Sequence, residues 1–237
     1  MTADRRKRLL LVVLLFVGIS LAPQAGLQAW EISPLQFPVL IPMGGYLSET
    51  GFPIAIRNLD FNFVPYAGVS TTLLLYNIQG LGVTGLPTDQ PIVGPTYTLV
   101  GNLCLKLMLP AGAFRITAKG GGFAFYNLSP MLMTGNLADA IASDRGWDGA
   151  SVDADFDNVI GFGWVVGGSI TYYVVQPVAG LFLEVLYYRG GAPLNLRGDV
   201  SGINGGSVVE EDIGDLYPDV DLDFTAIEVT LGVTLSL

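Results

Sequence analysis

The chain of 237 residues contains no histidine. Histidine is the commonest general base, the commonest zinc ligand and the usual partner of a catalytic serine or cysteine, so its absence excludes every Ser/His or Cys/His nucleophile arrangement and weakens an enzymatic interpretation. One cysteine, Cys104, is present, and a single thiol can form no internal disulfide. We therefore expect no catalytic residues, no cofactor and no resident metal ion, and we expect that the protein is not an enzyme.

Charged residues are also scarce, at 14 % of the chain, whereas 51 % of the residues are hydrophobic. A soluble domain this apolar would be unusual. The charges that are present are mostly acidic: 21 Asp and Glu stand against 11 Lys and Arg, giving a net charge of −10 at pH 7. An acidic chain is repelled by phosphate backbones, which argues against nucleic acid as a partner.

The N-terminus has the order of charge and hydropathy that is typical of an export signal. Four cations at residues 5–8 precede an unbroken apolar run over residues 9–17, and small residues follow as far as Ala29. This order predicts a secretory signal peptide over residues 1–29 and one mature domain over residues 30–237. An uncleaved anchor helix is the alternative, although the apolar run is shorter than the ~20 residues that a membrane span needs.

The last segment of the chain, residues 224–237, alternates with a period of two, as expected of a β-strand. From residue 227 on, one face carries only apolar side chains, among them Leu231, Val233, Leu235 and Leu237. The other face carries Ala, Glu, Thr, Gly and Ser. The same alternation recurs in residues 97–109, 114–126 and, less cleanly, 178–189.

Residues 159–183 contain no charge, so their length and hydropathy alone would allow a transmembrane helix. Within this stretch, however, small residues occupy most odd positions and large ones most even positions up to residue 174. A helix has no reason to sort side chains by parity, and the segment is rich in Val, Ile, Phe and Tyr, which favour strands. We predict two strands joined by a turn at Gln176 and Pro177.

Three further strands are predicted near the start of the mature chain. Residues 61–74 alternate well, whereas residues 37–46 and 52–57 contain prolines, which strands tolerate only at edges, ends or bulges. Counting the two proline-containing segments gives eight strands, and leaving them out gives six.

The connections between the predicted strands alternate in length. Residues 110–112 and 176–177 form tight turns, whereas residues 76–96, 127–158 and 190–221 are long and hold most of the acids. Short inner turns and long outer loops are typical of outer-membrane barrels, whose strands must close into a cylinder because lipid satisfies no backbone hydrogen bond. The sequence therefore predicts an all-β, closed antiparallel up-and-down transmembrane β-barrel of about eight strands. A soluble secreted β-sandwich that acts as a binding module remains the alternative.

This pattern resembles the small bacterial outer-membrane barrels of the OmpA/OmpX/OmpW type, on the basis of residues 224–237 and of the paired strands on either side of Gln176 and Pro177. The resemblance implies that outer-membrane lipids surround the barrel and that the barrel assembly machinery reads the final strand. That strand usually ends in Phe or Trp and here ends in Leu237. The OmpW members imply, as one possible function, a sideways route through the wall for small apolar molecules.

Five charged residues fall on the inward face of the predicted strands: Lys106, Arg115, Lys119, Glu184 and Glu228. An eight-stranded barrel is just wide enough to be filled by side chains, so these charges predict a salt-bridge network that closes the lumen. Lys106 and Arg115 are expected to lie nearly opposite each other, and at least one of the two glutamates is expected to pair with a lumen cation. We expect a structural or surface-interaction role, and a narrow pore is the alternative.

Two acidic trios could bind divalent cations. Asp153, Asp155 and Asp157 have the opening spacing of a calcium loop. The turn glycine and the bidentate glutamate of such a loop are replaced by Asn158 and Trp164. We therefore expect a solvated acidic loop here. The trio Asp219, Asp221 and Asp223 is interpreted in the same way, although either trio could hold ions that bridge surface lipids.

Overall fold

A computed structural model describes residues 29–43, 51–64, 66–176 and 178–236, without the side chains of residues 29 and 54–57. The predicted signal peptide, apart from the backbone of Ala29, and the final residue Leu237 lie outside the described residues. The elements in chain order are β1 (Ala29–Pro42), β2 (Pro53–Val64), β3 (Ala67–Ile78), β4 (Val83–Thr84), β5 (Thr96–Ala111), β6 (Phe114–Leu128), α1 (Thr134–Arg145), β7 (Gly149–Phe156), β8 (Gly161–Val175), β9 (Ala179–Pro193), β10 (Leu196–Asn204), β11 (Ser207–Asp212), α2 (Ile213–Leu216) and β12 (Asp221–Ser236).

Eight strands form a closed ring in the order β1-β2-β3-β5-β6-β8-β9-β12, and antiparallel pairing of β1 with β12 closes it. The fold class predicted from the sequence is confirmed. Tight turns join neighbouring strands at one end of the ring, the inner end, and long connections join them at the other, the outer end. The uncharged stretch 159–183 is not a helix but contains β8 and the start of β9. Among the described residues, no helix is long and apolar enough to cross a membrane.

The predicted strand over residues 61–74 is wrong, because those residues belong to two strands. Phe61 to Val64 end β2, and β3 begins at Ala67 after a two-residue turn. Inward side chains are even-numbered on both sides of this turn, since Asp60 pairs with Ser70 across the hairpin. An even-length turn leaves the parity unchanged, so alternation alone could not reveal it.

The outside of the ring is an apolar wall. Leu105 is 68 % exposed, and other outward Leu, Ile, Val and Phe side chains are close to half exposed. Soluble monomers rarely expose so many large apolar side chains together. The wall therefore requires an apolar environment around it.

The long outer connections fold into a cap of their own. Strands β7, β10 and β11 form a three-stranded sheet in the order β11-β10-β7, and α1 packs on β7. Helix α1 ends at Gly146, which adopts a left-handed conformation (φ 67°) and donates its N–H to the carbonyl of Ala142. The expected solvated loop at residues 153–158 is wrong in part, because Asp153 and Asp155 lie on β7.

The wall should not tolerate a charge, whereas the cap should. We expect Leu105→Arg to lower the free energy of unfolding in lipid vesicles by about 2–4 kcal/mol, the cost of a cation facing lipid near the bilayer midplane. Val208→Arg is the matched control, because Val208 is a 77 % exposed apolar residue at the tip of the cap sheet. Urea unfolding of both variants measures the difference, and equal stabilities would contradict the assignment of the wall to lipid.

Candidate functional site

The inner half of the lumen holds a network of buried charges. Lys106, which is 1 % exposed, places its Nζ 2.8 Å from Oδ2 of Asp60 and 3.3 Å from Oε2 of Glu31. Arg115 donates hydrogen bonds from both Nη atoms to the same Glu31 carboxylate, and the distance from Nη2 to Oε2 is 2.9 Å. Two cations on neighbouring strands therefore share one carboxylate that comes from β1, the strand that closes the ring.

Lys119 extends this network to the far wall. Its Nζ lies 2.5 Å from Oε2 of Glu184 and donates to Oγ of Ser70 at 3.2 Å. The Ser70 hydroxyl in turn donates to Oδ1 of Asp60 at 2.6 Å. The two lysine clusters are thus joined through Ser70 and Asp60 into one network across the lumen.

The expected arrangement of Lys106 opposite Arg115 is wrong. The β5–β6 register pairs Lys106 with Lys119, and Arg115 with Pro110. The hairpin turns at residues 112–113 rather than two residues earlier, so every cross-strand partner shifts. Two lysines directly opposite each other repel, and the acids around them offset this repulsion.

Sequence reasoning missed Glu31 and Asp60. Glu31 lies just after the predicted signal peptide and before Pro34, in a segment where no strand was predicted. Asp60 lies one residue before the predicted strand 61–74, in phase with the inward Asn62. Because inward residues alternate with outward ones, extending the predicted strand back to Asp60 would have placed this side chain in the lumen, on the same face as Asn62.

Glu228 differs from the other lumen acids because, among the described residues, it contacts no cation. Its Oε2 accepts hydrogen bonds from the hydroxyls of Tyr76 at 3.0 Å and Tyr188 at 3.1 Å, and its Oε1 accepts from the hydroxyl of Thr230 at 3.0 Å. Asn102 donates to the Tyr188 hydroxyl at 2.9 Å. The three described lumen cations therefore face four carboxylates, and Glu228 is the carboxylate whose charge no described cation neutralises.

Above Glu228, towards the cap, the lumen is filled by aromatic side chains. Phe123, Phe125, Tyr188 and Phe224 pack with ring centroids 5.0–6.2 Å apart, and all four are buried. This cluster belongs to one hydrophobic core that continues through Leu74, Val100, Val165 and Leu186 into the cap, where it includes Leu137, Ile141, Trp147, Leu196, Val200 and Ile213. The outer half of the lumen is therefore packed like the interior of a soluble domain.

The cavity beside the charge network is small. Within the described part of the chain, the cavity at the charge network has a volume of about 20 Å³, room for roughly one or two water molecules. Two buried polar atoms of that region, Oδ1 of Asn58 and Nε of Arg115, have no hydrogen-bond partner within the protein. A single water could bridge such atoms.

The acidic trios do not converge. Asp157 pairs with Arg197 at 2.5 Å, and Asp221 and Asp223 lie at the start of β12. In the part of the chain that is described, no group of three or more Asp, Glu or Cys side chains is placed to hold a metal ion.

The final strand carries the predicted apolar face outwards. On β12, Leu231 is 57 % exposed, and Val233 and Leu235 are half-buried. β12 pairs with β9 on one side and with β1 on the other. Its outward face is thus part of the wall.

Ion pairs also fasten the cap. Arg145 of α1 lies 2.6 Å from Oε2 of Glu211 on β11 and stacks over the Trp147 ring. The Tyr217 hydroxyl donates to Oδ2 of Asp144 at 2.6 Å. Partial burial and this carboxylate raise the pKa of Tyr217 above its ordinary value, so the hydroxyl stays protonated. The helices and the sheet of the cap therefore form one body.

No known protein-family profile matches the chain, and no curated protein matches its sequence. Among solved structures, the outer membrane protein OprG from Pseudomonas aeruginosa is similar, with a TM-score of 0.50 and 13 % identity over 91 % of this chain and 99 % of OprG. The chain has the fold of the small bacterial outer-membrane β-barrels. Two further likenesses have lower TM-scores: the N-terminal barrel domain of Pseudomonas aeruginosa OprF (0.45, 7 % identity, 90 % and 100 % of the two chains) and Ail of Yersinia pestis (0.35, 9 %, 88 % and 97 %).

The two lumen glutamates of this outer-membrane barrel fold should respond differently to the same substitution. Glu184→Gln leaves the buried Lys119 ammonium without its ion-pair partner and should lower the free energy of unfolding by about 3 kcal/mol. Glu228→Gln orphans no cation and keeps a hydrogen-bonding side chain, so it should cost no more than about 1 kcal/mol.

The temperature at which the folded gel band disappears measures both variants. Equal shifts in this temperature would contradict the difference predicted between the two glutamates, because they would show that the stability of the fold depends equally on both charges. No shift in either variant would contradict the buried network itself.

Proposed function

We propose that the protein is an outer-membrane barrel with a closed lumen, which anchors an acidic cap on the cell surface for contact with partners outside the cell. The observation that carries this proposal is the filled lumen, continuous with the core of the cap. A channel needs a water-filled path, and an eight-stranded ring has room only for side chains. The barrel then serves as an anchor.

Two belts of outward aromatic side chains support the membrane location. Trp30, Phe61, Phe63, Phe114 and Tyr172 lie near the inner end of the wall, and Tyr97, Phe162, Trp164 and Tyr187 near its outer end. Aromatic rings at two levels, with aliphatic side chains between them, are typical of proteins that cross both interfaces of a bilayer. The N-terminal export pattern agrees with this location.

The surface of the cap suits cationic partners. The cap exposes many acids, and both of its described arginines are paired with acids. The sheet register places Asp153, Asp199 and Asp212 side by side on one exposed face. Like charges directly opposite one another are destabilising, and a cationic partner would relieve this repulsion.

Planar-bilayer recording tests the closed lumen. The refolded protein should give no reproducible conductance steps at protein concentrations where insertion is demonstrated by a shift on heated and unheated gels. Discrete, reproducible steps would contradict the anchor function and favour a pore.

A second candidate function, the sideways passage of small apolar molecules, is favoured by a weak seam in the wall. β1 and β2 pair only from Ala29 to Ile32, and a single bridge, Leu40 with Gly51, joins them further out. Between these points no pair of described residues links the two strands. Within this stretch each strand carries an extra residue, β1 between Ile32 and Leu35 and β2 between Pro53 and Ala55, so regular pairing is interrupted on both sides of the seam.

Proline explains why the seam is unbonded. The N–H of Leu40 donates to Gly51, so the N–H groups at even positions on this part of β1 face β2. Counted from the Leu40–Gly51 bridge, Pro38 lies opposite Pro53, and neither has an N–H to donate. This stretch is held mainly by β12 on its other side.

A disulfide across the seam tests the passage. In a Cys104→Ser background, Val39→Cys with Phe52→Cys, which the adjacent Leu40–Gly51 bridge places opposite each other, should block uptake of an apolar dye into liposomes when oxidised, and reduction should restore it. The matched control, Leu107→Cys with Ala118→Cys, bridges a fully paired part of the wall and should not affect uptake. If the parent protein gives no uptake above protein-free liposomes, the passage is contradicted and the anchor function stands.

A further inference from the structure

A groove of about 780 Å³ lies on the outside of the wall, where β8, β9 and β12 approach the cap. Its floor is formed where Gly191 occupies an outward position of β9. The register places Phe162 of β8 on one side of Gly191 and Asp223 of β12 on the other. Because glycine has no side chain, a depression remains between two strands that otherwise carry large outward residues.

Arg189 also lines this groove. It is the next outward-facing residue of β9 from Gly191 towards the inner end of the barrel. Its cross-strand partners are Trp164 and Thr225. The other cations with described side chains all have acids within ion-pair distance: Lys106, Arg115, Lys119, Arg145 and Arg197. Among the described side chains, Arg189 is therefore the one cation that forms no ion pair, and it lies on the wall.

The groove lies at the level along the barrel where lipid head groups are expected. Trp164 and Tyr187, whose ring centroids are 5.4 Å apart, belong to the outer aromatic belt, and such belts lie at head-group level. A guanidinium at this level is suited to a lipid phosphate, which it can bind through paired N–H donors.

The groove also contains acids, which restrict the ligand. Asp221 and Asp223 line its outer end, and Asp223 accepts a hydrogen bond from the Thr225 hydroxyl at 2.5 Å. A purely anionic head group would meet these carboxylates as well as Arg189. A head group that joins a phosphate to a primary ammonium meets opposite charges at both ends.

We propose that this groove binds the zwitterionic head group of a membrane lipid of the phosphoethanolamine class. Arg189 holds the phosphate, Asp223 accepts hydrogen bonds from the ammonium, and Phe162 and Trp164 pack against the start of the acyl chains. The proposal rests on the proposed membrane location. It assigns a lipid-selective binding site to the outer surface of the barrel wall, apart from the lumen and the cap.

Native mass spectrometry in an uncharged maltoside detergent tests the site with three dihexanoyl lipids: phosphatidylethanolamine, phosphatidylglycerol and phosphatidylcholine. We expect phosphatidylethanolamine to bind at least tenfold more tightly than the others, a difference of about 1.4 kcal/mol. Phosphatidylglycerol lacks the ammonium, and the ammonium of phosphatidylcholine carries no N–H. Free phosphoethanolamine should bind more weakly than the lipid, because the aromatic contacts are lost.

Arg189→Gln should weaken the binding of all three lipids at least tenfold, because each carries the phosphate, whereas Asp223→Asn should reduce the preference for phosphatidylethanolamine at least tenfold. Arg197→Gln is the matched control, since it removes an arginine from the cap. Equal binding of the three lipids, an affinity that survives Arg189→Gln, or a preference that survives Asp223→Asn would overturn the proposal. The assay uses folded protein in micelles, so it is independent of the tests of the anchor function. If the protein shows no lipid selectivity but keeps its gel shift and gives no conductance, this inference alone is overturned and the anchor function stands.

Discussion

Backbone N–H and C=O groups that face lipid have to be paired within the protein, because an apolar environment offers no hydrogen bonds in exchange; among the described strands, the proline-containing stretch between β1 and β2 is where this pairing is weakest. Pairing of β1 with β12 from Glu31–Ser236 to Pro42–Ala226 meets this requirement by closing the ring. Eight strands then enclose a cylinder that side chains can fill. The number of strands thus determines that the lumen is packed, and a packed lumen admits polar groups only if they pair with one another.

The charge network shows how strongly its members depend on one another. A buried ion without its partner costs several kcal/mol, whereas an ordinary hydrogen bond contributes about 1 kcal/mol. The register that sets Lys106 opposite Lys119 would be unfavourable alone. Acids from three other strands offset it, and one of them, Glu31, comes from the closing strand. Closure of the backbone and neutralisation of the lumen are therefore coupled.

Much of the barrel could be predicted from the sequence, because a wall with a lipid face and a packed face imposes a period of two on every strand. The inward set Lys106, Lys119 and Glu184 followed from parity alone. Register did not, because it depends on where each hairpin turns, and a shift of two residues preserves parity while changing every partner. This is why Lys119, rather than Arg115, faces Lys106.

The fold of the cap could not be predicted for a different reason. Its strands are short, and its sheet is held by contacts distant in the chain, such as Gly202 against the Trp147 ring. The acids of β7 looked like a solvated loop because only one face of that strand is covered. Alternation between Val152, Ala154 and Phe156 on one face and Asp153 and Asp155 on the other was the available signal.

The distribution of cations limits where this protein can interact with its surroundings. Three of the six with described side chains neutralise the lumen and two are paired within the cap, so these five are already engaged by the fold. Among the described side chains, the lumen holds four acids against three cations, so most of the net negative charge of the described residues lies outside it. An anionic ligand is therefore repelled by the cap and excluded from the lumen. Arg189, on the lipid-facing wall, is the position among the described residues where a phosphate meets a cation that the fold does not already use.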